Sequence, residues 1–273
     1  MELTVSNIAW TNEEEPEIAN ALADMGVRNI EIAPTKKWQD PTVTVVAELV
    51  EYKNWWNSYD MDVVAFQSML FNRVDLKLFE SSENREDTFK YLSKFIEVAG
   101  VMGAKAMVFG SPKNRQLEGL SKEAASLIAV NFFSSLAEVA LKNNVNFCIE
   151  PNAPQYNCDF ANNSSDGLEL VEEVGKAGFG LHLDTACMQL AGDNLVQSII
   201  NSKNALKHFH VSAPYLEPVN SSNDINHKAV ADALRLIDYK GKVSIEMKPG
   251  DSGTNLGRVK EAVEFVRSVY SLS

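Results

Sequence analysis

Short apolar runs alternate along this chain with longer stretches whose apolar positions recur at spacings of three and four. The runs are Leu3–Trp10, Asn29–Pro34, Val63–Met69, Ala104–Ser111, Asn146–Pro151, Gly180–Thr185, Leu206–Ser212 and Lys242–Met247. Short apolar runs rich in β-branched and aromatic residues suit parallel strands buried on both faces. Between them, Phe89, Leu92, Ile96 and Ala99 fall on one helix face, as do Ile128, Phe132, Leu136 and Val139, and again Leu256, Val259, Val263 and Val266. Gly26, Gly103 and Gly178 stand between a helical stretch and the next run, where glycine often ends a helix, although loops hold glycine for many reasons. Strict alternation of strand and helix implies a parallel sheet with right-handed crossovers. Eight repeats favour closure over an open sheet, so the expectation is a single (β/α)8 TIM barrel. Such a barrel takes about 250 residues, and one domain over residues 1–273 uses the whole chain.

Composition narrows the class. Hydrophobic residues make up 45% and charged residues 23%, which excludes a disordered or fibrous chain. Acids outnumber bases 37 to 25, for a net charge of −12. That charge repels phosphate backbones, so nucleic acid and anionic membranes are expected to be poor partners. No GxGxxG or GxxxxGK[ST] motif follows a predicted strand. No basic segment leads into an apolar stretch at the N-terminus, and no uncharged apolar run approaches the roughly 18 residues of a membrane span. Cys148, Cys158 and Cys187 are odd in number and spaced unlike a zinc ribbon; they read as reduced thiols, which points to the cytoplasm.

The longest loops, Leu70–Glu83, Asn152–Ser165 and Pro214–Asp224, are polar and follow strands. In a barrel they lie on the C-terminal face, where the chemistry of this fold sits. At the C-terminal ends of the last four runs lie Glu150, Asp184, His210 and Glu246. Side chains alternate along a strand, so with the apolar neighbours packed on helices these four point into the barrel. Three carboxylates and an imidazole would repel one another there without a cation. Hard oxygen donors plus one nitrogen suit one divalent ion: Mn2+, Mg2+ or Co2+, with Zn2+ also compatible. Any one of these four residues alone reads more readily as an ordinary strand end; the four in register do not.

On these residues the chain resembles the xylose isomerase-like TIM barrels, the superfamily of sugar isomerases and epimerases, inosose dehydratase and endonuclease IV. The likeness spans nearly the whole chain. In members of the tagatose 3-epimerase type, the Glu, Asp, His, Glu series binds a divalent metal, and the two glutamates flank the substrate carbon. The resemblance therefore implies that Glu150, Asp184, His210 and Glu246 are metal ligands and that Glu150 and Glu246 are the catalytic acid and base. The segments Phe66–Phe71 and Phe109–Arg115 also look like those of sugar phosphate isomerase/epimerase relatives. Two positions depart from the ketohexose epimerases: Cys187 stands where they have a histidine, and Leu216 where they have an arginine. The implied activity is proton transfer through an enediolate on a sugar or sugar phosphate, giving isomerisation or epimerisation. A dehydratase of the inosose type and a non-catalytic carbohydrate-binding barrel are the alternatives. An endonuclease would need a basic groove and more ligand histidines than the four present. The expected partner is a small carbohydrate, and a homo-oligomer is compatible with the reading.

Further residues carry two readings each. Lys113, Arg115 and Lys248 can hold a phosphate or carboxylate, or can be ordinary loop charges. Gln67 can bind a sugar hydroxyl or cap a strand. His182 and His208 face the interior, as partners that orient ligands or as core residues. Cys187 is an extra ligand or a buried thiol, and His227 begins a helix without a role. Trp10, Trp38, Phe66, Phe71, Tyr156 and Tyr215 can stack on a sugar or pack loops, while Trp55 and Trp56 belong to a helix.

Overall fold

The computed structural model describes residues 1–222 and 224–272. Asn223, inside the expected loop Pro214–Asp224, lies outside the described residues. Among the described residues, eight parallel strands, β1 (Glu2–Ser6), β2 (Asn29–Ile32), β3 (Asp62–Phe66), β4 (Ala106–Phe109), β5 (Asn146–Ile149), β6 (Phe179–Asp184), β7 (Leu206–Ser212) and β8 (Lys242–Glu246), pair in sequence order. β8 closes on β1 with Leu3 beside Val243 and Thr4 beside Ser244. This is the single barrel expected from the pattern.

The helices are α1 (Glu15–Asp24), α2 (Pro34–Lys37), α3 (Val46–Asn57), α4 (Ser82–Met102), α5 (Lys122–Lys142), α6 (Ser164–Val174), α7 (Thr185–Ala191), α8 (Leu195–Asn201), α9 (His227–Leu236) and α10 (Asn255–Tyr270). Except for β6 and β7, the strands are shorter than the apolar runs suggest. Leu3–Trp10 gives a strand only to Ser6, followed by a 3-10 turn over Asn7–Ala9. The apolar residues past the ladder pack the loops instead: Trp10 is buried and lies 6.5 Å from Trp56.

Alternation decides where each layer of the interior goes. Leu3, Val5, Ile30, Ile32, Phe209, Val211, Val243 and Ile245 are buried in the apolar core shared with the helices. The opposite parity supplies Thr4, Ser6, Glu31, His208, His210, Ser212 and Ser244, all 1% exposed or less. The apolar core is thus a ring between strands and helices, and the inside of the barrel is polar. Phe133 of α5 illustrates the ring, stacked on Phe179 at 4.9 Å and edge to face with Phe109 at 5.8 Å. Burying one such side chain is worth about 1.5–3 kcal/mol. By length and composition α5 could cross a membrane, although its uncharged stretch, residues 124–137, is shorter than the roughly 18 residues of a span. Ala125, Ala129, Phe132, Phe133, Leu136 and Ala140 seat it in the barrel wall.

Gly26, Gly103 and Gly178 all have positive φ. At Gly178 a side chain is also barred sterically, because a Cβ would come within 2.3 Å of the Ala137 carbonyl oxygen on α5. His227 does begin a helix, α9, but it also has a structural partner. Its Nδ1 lies 2.9 Å from the Tyr270 hydroxyl, at the seam between α9 and α10.

Burial pushes His227 down from 6.5 to about 4. Between those values the unfolded chain binds more protons than the folded one, so stability rises with pH across that window. The contribution is present above about pH 6.5 and is lost as pH falls towards 4. It amounts to at most about 3 kcal/mol by linkage. Urea unfolding of wild type and His227→Gln at pH 7.5 and 4.5 should show the variant losing less stability on acidification. A difference between the two proteins that is the same at both pH values would contradict this.

Candidate metal and acid–base site

The polar interior gathers its chemistry at the C-terminal end. Asp184 is the last residue of β6, Glu246 the last of β8, and Glu150 follows directly on β5. His210 lies within β7, beside Asp184 on one neighbour and Ser244 on the other. Glu150, Asp184 and His210 each offer a ligand atom, and these atoms lie within 4.8 Å of one another. Glu246 joins them through its Oε2, 3.4 Å from His210 Nδ1. Asp184 and His210 are buried, whereas the Glu150 and Glu246 side chains are each 12% exposed. The two glutamates are therefore the members that reach the mouth.

Each group is held from behind. Asp184 caps α7 by accepting from the Cys187 N–H at 2.7 Å, and its other oxygen accepts from Ser212 Oγ at 2.5 Å. The backbone carbonyl of Glu150 accepts from Arg115 at 2.6 Å. At Gly110 of the neighbouring loop, a Cβ would lie 2.1 Å from Glu150 Oε2, so the absent side chain makes room for the carboxylate.

His210 is set by Glu31, a residue that reading only the last four strands misses. The Nε2 of His210 lies 2.9 and 3.1 Å from the two Glu31 oxygens. His208 Nε2 lies 3.3 Å away, and Ser244 Oγ donates to the same carboxylate at 2.5 Å. This makes Nε2 a donor to Glu31 and leaves Nδ1 aimed at the outer acids, buried and without a hydrogen-bond partner. A carboxylate behind a histidine is the arrangement that orients metal-binding imidazoles. The signal was present in Asn29-Ile30-Glu31-Ile32, an acid between two isoleucines inside a strand.

The electrostatics follow from this packing. Burial, then repulsion from Glu246 and Asp184, pushes Glu150 up to about 8. Asp184 is raised by burial and by Glu246. Burial opposes the charged form of His210, but Glu31 and Glu246 outweigh it and hold the imidazole well above its ordinary value. For Glu31 burial likewise acts upward, and the attraction of His210 and His208 wins, leaving it well below the usual carboxylate range. His182, in the same layer with both nitrogens unpartnered, is pushed well down by burial. With no cation, protons neutralise the cluster. An unpartnered buried nitrogen facing a carboxylate set that resists ionisation is what a divalent cation can occupy, with Glu150, Asp184, His210 and Glu246 as donors.

The expected substrate contacts fare differently. Arg115 is fully buried, and its guanidinium donates to the Glu150 carbonyl, to Asn152 Oδ1 at 2.8 Å and to the Phe160 carbonyl at 3.0 Å. It clamps the loop after β5 and does not present a fork to an anion. Lys248 is exposed and paired with Glu217 at 2.5 Å. Gln67 is buried, donating to Ser6 Oγ at 2.6 Å and accepting from Ser68 Oγ at 3.2 Å. Lys113 is exposed on the loop after β4. Cys187 is buried near Asp184, its thiol held well up by burial and by that carboxylate. Of the six aromatics, Phe66 packs on Phe95, Trp38 on Tyr52 and Trp10 on Trp56. Phe71 and Tyr215 are 63% and 56% exposed.

The Glu31–His210 pair is testable without any metal. In chelator-treated protein at pH 7.5, imidazole 15N NMR should show His210 doubly protonated, and Glu31→Gln should lower its pKa by at least about one unit. A neutral His210 in the wild type under those conditions would contradict the arrangement.

Comparison with known proteins places this geometry in a family. A stretch of 150 residues is 24% identical to an L-ribulose 3-epimerase of Methylomonas sp. (strain DH-1), covering 55% of this chain and 49% of that protein, so the match spans about half the relative's length. The structure superposes on 3-keto-D-glucoside 4-epimerase from E. coli with a TM-score of 0.81 at 18% identity, covering 98% of this chain and 99% of the other. It superposes on the IolI protein with a bound zinc atom with a TM-score of 0.79 at 18% identity over 100% of both chains. At these identities the structural likeness shows the fold. The model of the xylose isomerase-like TIM barrel family matches residues 19–269, and the chain belongs to that family.

Proposed function

We propose that the protein is a divalent-metal-dependent isomerase or epimerase of sugars or sugar phosphates, acting by proton transfer at a carbon next to a carbonyl. The observation that carries this reading is the convergence of Glu150, Asp184 and His210 within 4.8 Å, with Glu246 against the free nitrogen of His210. The epimerases and the zinc-bound protein among its relatives and structural neighbours support it.

A proton on such a carbon is too weakly acidic for an unaided carboxylate. A divalent cation held by the four side chains supplies stabilisation of the negative charge that develops on the carbonyl oxygen. The remaining work is done by the chain. Glu150 and Glu246 reach the mouth from strands three places apart in the closed ring, so they approach a central ligand from different sides. One carboxylate removes the proton from one face and the other carboxyl delivers one to the opposite face. Asp184, fixed by Ser212 and the α7 backbone, and His210, fixed by Glu31, keep the donor set in place. Return of the proton to the same carbon epimerises, and return to the neighbouring carbon isomerises.

Elemental analysis of protein purified without chelator should find about one divalent ion per chain, lost in Asp184→Ala and in His210→Ala. Unchanged metal content in both variants would rule out this donor set. In deuterated buffer with Mg2+, NMR should show exchange of a carbon-bound proton in one of a panel of ketoses, sugar phosphates and keto-sugars. Glu150→Gln and Glu246→Gln should each slow that exchange by about 100-fold or more, with metal content measured alongside. Exchange as fast as wild type in variants that still hold metal would overturn the acid–base assignment.

A further inference from the structure

Among the described residues, one side of the mouth is built from uncharged side chains. Tyr156 lies six residues past Glu150, Cys187 three past Asp184, and Tyr215 and Leu216 three and four past Ser212. The backbone N–H of Tyr215 donates to the Tyr156 hydroxyl at 3.0 Å, and the two rings meet edge to face at 5.9 Å and 72°. Tyr215 and Leu216 both have left-handed backbone, with φ of 61° and 58°. Two consecutive non-glycine residues in that region are strained, and such strain collects at binding sites. Tyr215 is 56% exposed.

The wall is fastened on three sides. Lys248, two residues past Glu246, donates its backbone N–H to the Leu216 carbonyl at 2.8 Å. Gln155 donates to the Leu190 carbonyl on α7 at 2.9 Å, and Asn152 donates to the Cys187 sulfur at 3.5 Å. The wall meets the acids through Cys187, whose backbone N–H donates to Asp184 at 2.7 Å, and through Ser212, three residues before Tyr215, whose Oγ donates to the same carboxylate at 2.5 Å. Two of the cations near this wall are engaged elsewhere, Arg115 behind it and Lys248 with Glu217, the Asp184 carboxylate caps α7, and Lys113 stands exposed on the separate loop after β4.

We infer that Tyr156, Cys187, Tyr215 and Leu216 form an uncharged, partly aromatic subsite that takes the C–H face of a cyclic sugar bearing a neutral substituent, so that the substrate class is a glycoside and not a sugar phosphate. This rests on the proposed sugar chemistry and narrows it. A pyranose ring stacks its apolar face on an exposed aromatic ring, and apolar contact with aromatic surface is the main source of affinity available at such a wall.

Saturation-transfer NMR titrations of the Mg2+-loaded protein test this with phenyl β-D-glucopyranoside, D-fructose and D-fructose 6-phosphate as probes. The glucoside should bind at least about 10-fold tighter than the phosphate; Tyr215→Ala should weaken it about 10-fold or more, and Tyr215→Phe should keep it within about twofold, since the ring and not the hydroxyl makes the contact. Tightest binding of the phosphate, or a glucoside affinity unchanged in Tyr215→Ala, would overturn the subsite. Metal content and carbon-proton exchange are read separately, so a failure here is distinct from a failure of the acid–base proposal.

Discussion

Four acids and three imidazoles share the inside of one closed barrel from which water is nearly excluded, and their charges must sum to something near neutral. Glu31, Glu150, Asp184 and Glu246 supply the negative side; His182, His208 and His210 are the groups that can offset it. The Glu31–His210 contact organises the set. It commits one nitrogen of His210 to a deep carboxylate and turns the other towards the three outer acids. The outer acids are left in excess, and burial together with their mutual repulsion makes Glu150 and Asp184 resist ionisation in the bare protein. On our reading, a divalent cation replaces the protons that otherwise neutralise them.

The same constraint separates the two halves of the fold's interior. Parity along each strand sends isoleucine, valine and phenylalanine outward to the helices and serine, histidine and glutamate inward. Stability therefore comes mainly from the ring of apolar packing, while the inner layer is committed to hydrogen bonds and charge. Glu150 and Glu246, the two members with access to solvent, are also the two best placed to meet a ligand.

Much of this was legible in the sequence because period and parity are local signals. Eight apolar runs gave eight strands, and the three acids and one histidine at the ends of the last four fell where alternation put them. Strand limits were less legible: Trp10 and Met69 continue apolar runs but pack loops, because a ladder ends where its neighbour ends, which no single run reveals. Glu31 escaped notice because its meaning depends on His210, 179 residues away. Arg115 misled for the converse reason. Its loop position suggested a ligand, but the carbonyls that bind it belong to the chain past β5. Long-range pairing, not local pattern, decides such roles.

The most direct measurement of the central claim is the number of protons released when the chelator-treated protein binds a divalent cation. Calorimetric titration with Zn2+ at pH 7, repeated in buffers of different ionisation enthalpy, gives that number. The account predicts release of about one to two protons per ion, because Glu150 and His210 must give up theirs to become donors. Binding at one site with no proton release would contradict it.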